Sequence, residues 1–253
     1  MNRKVTLGIY LLFSLLIDAC GDAETVLPKH DGECVVLLHG LARSSLSMER
    51  MSWFLEEYGY AVANIDYPSR DYKIEELAEK AVGDGLSQCA NQNSTDKIHF
   101  VTHSLGGILV RYYFSENDYE SLGRVVMLAP PNQGSKAVDE LQQWPGFEWL
   151  NGPAGYQLGK GENSIPLQLG TPEFEFAVIA GDATIDPVTS AVLDDPDDGR
   201  VSVADTRLDG MLDFRLIDAS HAFIMQKREV FELVYAFLTS GSFPPEDEAG
   251  NTR

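Results

Sequence analysis

Ile98-His99-Phe100-Val101-Thr102-His103-Ser104-Leu105-Gly106-Gly107 is an apolar, strand-like run that breaks at a serine flanked by small residues and continues as Ile108-Leu109-Val110-Arg111-Tyr112. It reads as strand, sharp turn, helix. A serine at such a turn is held out of the sheet on a strained backbone, beside the N-terminus of the helix that follows, with its hydroxyl open to a base. The pattern is that of a nucleophile elbow, G-x-S-x-G, with Thr102 in place of the first glycine. That position favours a small side chain because strand and helix pass close together; a β-branched threonine suits the strand end and crowds the turn. Gly106 and Gly107 keep the other side open.

Outward from this turn the chain alternates. Cys34-Val35-Val36-Leu37-Leu38 is a continuous apolar run of the kind buried on both faces of a parallel sheet, and it ends in His39-Gly40-Leu41-Ala42-Arg43. Met48, Met51, Phe54 and Leu55 recur at helical spacing up to Gly59. Ala61 to Ile65 is a strand, Ile74 to Cys89 a helix, and Val125 to Leu128 the strand after the serine helix. This order predicts an α/β protein, a mostly parallel sheet with helices on both faces and ligands beyond the carboxyl ends of its strands. Residues 136–172 interrupt the alternation with Trp144, Phe147, Trp149, Leu150 and Tyr156 among glycines and prolines. We read a short helix and a long loop, forming a cap or lid over the site, with Trp144, Phe147 and Trp149 as candidates for an apolar wall along an acyl chain. A purely structural excursion is the alternative. Phe176 to Ala180 resumes the sheet, Phe214 to Asp218 is its last strand, and an amphipathic helix runs through Phe231, Val234 and Leu238. Residues 241–253 read as a loose acidic tail.

A serine hydroxyl needs a base to take its proton, and the base needs an anion to fix its tautomer and stabilise its cation. Of five histidines, His99 lies inside a strand, His103 faces away and braces the turn, His30 sits in the lead-in, and His39 holds the loop after the first strand. His221, in the loop after the last strand, is the base by position. The acid belongs in the loop after the penultimate strand, where Asp198 heads the tight turn Asp198-Gly199-Arg200-Val201; Asp182 and then Asp197 are the alternatives. The Leu41 and Leu105 N–H groups supply an oxyanion hole. The acidic loop Asp194 to Asp198 has no standard calcium spacing, and no metal is expected.

The ends and the charge bound the setting. Residues 1–20 carry Arg3 and Lys4, the apolar run Val5 to Ile17, and Ile17-Asp18-Ala19-Cys20, a secretory signal too short for a bilayer span of roughly 20 residues. Two cleavage patterns compete: a lipobox with Cys20 lipidated as a membrane tether, and cleavage after Ala23. Export to the periplasm, the medium or a lipid anchor follows. Cys34 and Cys89 then form an even pair in an oxidising compartment: if their strands are neighbours, a disulfide clipping the edge of the sheet away from the active face, or otherwise two separate buried thiols. The net charge of −20 argues against nucleic acid and anionic lipid surfaces.

His39-Gly40-Leu41, Thr102-His103-Ser104-Leu105-Gly106-Gly107, Asp198-Gly199-Arg200-Val201 and Ser220-His221 together resemble the motif set of the α/β-hydrolase superfamily, in particular its bacterial triacylglycerol lipase and esterase branch, over residues 34–239. The resemblance implies the α/β-hydrolase fold with an eight-stranded or trimmed sheet, no cofactor, and hydrolysis of carboxylic esters through a serine acyl-enzyme. Thr102 departs from the motif, and the stretch before Cys34 leaves no room for the two leading strands of larger members. The expectation is a serine hydrolase acting on an ester or lipid. An acyltransferase or thioesterase with the same triad, and a noncatalytic binding protein on the fold, are the alternatives.

Overall fold

The central run Cys34–Leu38 is buried throughout because it has strands on both sides and helices on both faces. The computed structural model describes residues 30–194 and 196–246. In chain order the elements are β1 (Glu33–Leu38), α1 (Glu49–Glu57), β2 (Ala61–Ile65), α2 (Ile74–Asn91), β3 (Lys97–His103), α3 (Leu105–Glu116), β4 (Leu122–Leu128), α4 (Lys136–Leu141), α5 (Phe147–Tyr156) and α6 (Ile165–Gln168). Then come β5 (Phe176–Gly181), α7 (Pro187–Ser190), α8 (Val203–Thr206), β6 (Asp213–Ile217) and α9 (Arg228–Ser240). The signal segment with Cys20 and the last residues of the tail, 247–253, lie outside the described residues.

The sheet has six strands in the order β2-β1-β3-β4-β5-β6, all parallel. Strand alternation divides the core. Cys34, Val36 and Leu38 pack with α2 and α3 through Leu77, Ala81, Ile108 and Leu109, whereas Val35 and Leu37 pack with Met51 and Leu55 of α1 and Val234 and Phe237 of α9. All carboxyl ends therefore open on one side, and the loops leaving β1, β3, β5 and β6 meet there.

Three local readings need revision. The tail is not loose over its described residues 241–246: Phe243 is buried against Phe237, and Arg215 donates to the Pro244 carbonyl. Residues 136–172 form three short helices, α4, α5 and α6, where the sequence predicts one and a loop. Glycines and prolines divide the apolar residues into pieces too short for a readable period: Gly152 breaks α5 at φ 62° and Pro153 follows it. Cys34 and Cys89 are joined in a disulfide, with Cα atoms 5.8 Å apart. The pairing is the expected one, but it does not clip a sheet edge: it ties the last turn of α2 to the first residues of β1, an interior strand, at the end of the sheet opposite the carboxyl-end loops.

Candidate active site

Ser104 stands between β3 and α3 with φ 51° and ψ −116°, a conformation L-residues rarely adopt. Its surroundings hold it there. The Ser104 N–H donates to the Leu128 carbonyl at the end of β4 (2.8 Å), and the Gly107 N–H donates back to the Ser104 carbonyl (3.0 Å). A Cβ at position 106 would lie 2.8 Å from the Leu38 carbonyl oxygen, so α3 starts in backbone contact with the end of β1. At position 107 it would lie 3.3 Å from both Thr102 Oγ1 and the Pro130 ring. Thr102 is thus accommodated at the elbow because the space it takes is released by Gly107 on the helix.

His221 reaches the serine from the loop after β6. Its Nε2 is 3.0 Å from Ser104 Oγ, and its Nδ1 is 2.7 Å from Asp198 Oδ2. A carboxylate only accepts, so Nδ1 carries the proton and the Nε2 lone pair faces the serine hydroxyl. Asp198 is fully buried yet completely bonded: its other oxygen accepts from the Arg200 and Val201 N–H groups (2.9 and 2.8 Å). The base loop is also tied to the acid through the backbone, His221 N–H to the Asp198 carbonyl at 2.9 Å. The two alternative acids are elsewhere. Asp197 bonds Ser190 Oγ and the Gly199 N–H, and Asp182 is exposed.

The turn after β1 lies against the elbow, since a Cβ on Gly40 would be 3.3 Å from Ser104 Cβ. His39 fixes this turn. Its ring donates from Nδ1 to the Gly40 carbonyl (2.8 Å), accepts at Nε2 from the Tyr67 N–H (3.3 Å) and stacks on Tyr67 at 4.0 Å, while the Tyr67 hydroxyl donates to the His39 carbonyl. Burial lowers the His39 pKa and keeps the ring in this neutral, one-donor form. The Leu41 and Leu105 N–H groups make no hydrogen bond to the protein among the described residues, which leaves both free to donate to an oxyanion.

The cap approaches by its backbone more than by its aromatics. Trp144 and Trp149 are 58% and 80% exposed, and Phe147 is buried against Tyr156 inside the cap. The cap residue that reaches the site is Gly155, where a Cβ would sit 3.5 Å from Leu41 Cδ2, next to Ala154, which is buried in the core. The small-residue run Gly152-Pro153-Ala154-Gly155 was the available signal for close approach. Gln157 and Arg111 root the cap. Gln157 Oε1 accepts from the Ile74 N–H at the start of α2 (2.7 Å). Arg111, buried on α3, donates to Asn132 O and Oδ1 and to the Pro166 and Gly170 carbonyls at 2.9–3.2 Å. A cleft of about 510 Å³ beside this root, lined by Arg111, Asn132, Pro166 and Leu208, includes none of Ser104, Asp198 or His221.

A parallel sheet whose carboxyl-end loops bring a strained serine, a histidine and a buried aspartate together in chain order Ser, Asp, His defines an α/β hydrolase. Residues 34–163 match the family described as palmitoyl protein thioesterase, more than half of the chain. The chain belongs to that family, within the α/β-hydrolase superfamily. Solved structures of similar fold include the mature form of lipase BlEst2 from Bacillus licheniformis, 22% identical with a TM-score of 0.66 over 81% of this chain and 91% of that one. Others are a metagenomic carboxyl esterase, 19% identical, TM-score 0.55, over 76% and 65% of the two chains, and a thermophilic esterase from Thermogutta terrifontis, 16% identical, TM-score 0.53, over 82% and 90%. No curated protein matches the chain.

Proposed function

We propose that the protein hydrolyses carboxylic esters of apolar acyl chains through an acyl-enzyme on Ser104. The observation that carries this reading is the unbroken hydrogen-bond chain from Asp198 through His221 to Ser104 Oγ, 2.7 and 3.0 Å. Ser104 Oγ bonds to the acyl carbon as its proton passes to His221 Nε2, and the carbonyl oxygen becomes an anion facing the Leu41 and Leu105 N–H groups. The tetrahedral species expels the alcohol, which takes the proton from His221. Water then attacks the acyl-serine by the same route, releasing the acid and restoring the serine hydroxyl. Asp198 keeps the imidazole in the required tautomer and stabilises its cation.

Family membership favours a second reading, a thioester in place of the ester. The acyl-enzyme is common to both, and the leaving group distinguishes them. Hydrolysis of p-nitrophenyl esters from acetyl to palmitoyl, and of palmitoyl-CoA followed by thiol release, with Ser104→Ala alongside, tests both. Serine-dependent turnover is expected, with the preferred leaving group naming the substrate class; turnover retained in Ser104→Ala overturns the assignment. We further propose export, supported by the pattern of residues 1–20 and by a disulfide suited to an oxidising compartment. N-terminal analysis of the mature protein separates a start at lipidated Cys20 from one at Glu24.

A further inference from the structure

The triad leaves unused the histidine next to its nucleophile. His103 closes β3 directly before Ser104, and its side chain is buried. Its Nε2 lies 3.0 Å from the backbone carbonyl oxygen of His221, and the two rings sit 4.8 Å apart, centroid to centroid. A carbonyl can only accept, so His103 Nε2 carries the proton. Its Nδ1 has no hydrogen-bond partner among the described residues and faces the oxyanion turn, where a Cβ on Gly40 would be 2.6 Å away. One ring therefore occupies the gap between two loops, with its hydrogen bond going to one of them.

The base residue is held at both ends of its backbone. Its N–H donates to the Asp198 carbonyl (2.9 Å), and its C=O accepts from His103 (3.0 Å). The first tie sets His221 relative to the acid. The second sets it relative to the nucleophile, because His103 and Ser104 are adjacent in the chain. Without it, the backbone hydrogen bond that remains on His221 itself is the one to the acid loop, and nothing on its backbone ties it to the strand that carries Ser104. Packing by itself would require a ring of this size but no donor at Nε2. Burial, and after it the neighbouring His221, holds the His103 pKa well below the ordinary histidine range, so this donor-acceptor arrangement persists as the surroundings titrate. The other ionisable groups that bear on the ring are Arg43 and His39, both cationic when charged, which act in the same direction.

We infer that His103 is a positioning residue: its Nε2–H bond to the His221 carbonyl aligns the base with Ser104, while the ring seats the Gly40 turn. The inference rests on the triad reading above and adds a role outside the triad. A shift of the base by about 1 Å is enough to cost on the order of 100-fold in rate with little change in substrate binding.

The test compares His103→Gln with His103→Asn in the full-length protein. Glutamine places an amide N–H near the position of the imidazole Nε2, whereas the asparagine amide stops short, near Nδ1. Neither titrates in the assay range. With a p-nitrophenyl ester, Gln is expected to keep kcat within about fivefold and Asn to lose roughly 10- to 100-fold, with KM within about twofold and similar Tm for both. Equal kcat in the two variants, or a loss confined to KM, overturns the role. A measurement on the unmutated protein covers the case in which a variant does not fold. Nitrogen-15 NMR should find His103 protonated at Nε2 and bare at Nδ1 across neutral pH, and the opposite tautomer overturns the proposed bond. Serine-independent turnover would remove the triad reading, yet the tautomer measurement would still decide whether the His103 bond exists.

Discussion

The triad loops and the cap sit at the same end of one sheet and are held in different ways. Around Ser104, Asp198 and His221 the polar groups that fix the geometry bond one another: both Asp198 oxygens, the N–H and C=O of His221, and the N–H of Ser104 are engaged. In the cap the helices are short, two tryptophans face outward, and attachment is concentrated at a few points such as Arg111, Gln157 and the Lys160–Asp205 ion pair at 2.6 Å. Redundant anchorage suits groups that must keep a few tenths of an ångström. Sparse anchorage concentrates the consequences of mutation at the anchors.

The sharpest way to break this contrast is at the acid. Asp198→Asn should lower kcat by about 1,000-fold or more by removing the partner of His221 Nδ1, while exposed Asp182→Asn stays within about twofold. Steady-state kinetics of the pair decides, and the reverse order would move the acid. Next is the cap root. Arg111→Met leaves four acceptor contacts, to Asn132, Pro166 and Gly170, without their donor, and should cost roughly 2–4 kcal/mol by denaturant unfolding. Limited proteolysis should then cut first within residues 136–172.

Acid acts instead on buried histidines of β3 and of the turn after β1. His39, His99 and His103 have pKa values lowered by burial, His99 to about 4, so each is neutral in the fold and basic once unfolded. Their contribution is fully present above the unfolded value of about 6.5 and is lost as pH falls from there toward the folded values. Tm should therefore decline from about pH 6.5 toward pH 4, and less steeply in His99→Gln. Smallest is the outer face of the cap: Trp149→Ser should change stability by less than about 0.5 kcal/mol and leave turnover of a short soluble ester unchanged, since the indole is in solvent.

The same contrast explains what the sequence disclosed. The elbow is legible because a strand-turn-helix with a strained serine demands small neighbours at fixed offsets, and Asp198 and His221 because their loops follow identifiable strands. Alternation of apolar runs and helical periods was enough for the parallel α/β sheet. Trp144, Phe147 and Trp149 were legible as apolar residues, but nothing local specifies whether a cap aromatic turns toward the site. Here the approach to Leu41 falls to Gly155, and the tryptophans are outside. The bond from His103 to the His221 carbonyl joins residues 118 apart in the chain, a distance across which sequence carries no register.

A covalent acyl intermediate on Ser104 is tested most directly by mass spectrometry of the protein quenched with acid during turnover of a slow p-nitrophenyl ester. One acyl group is expected, mapped to the peptide containing Ser104 and absent from Ser104→Ala. Turnover with no acyl-protein in single-turnover quenches spanning the reaction, or an acyl group on another residue, would contradict it.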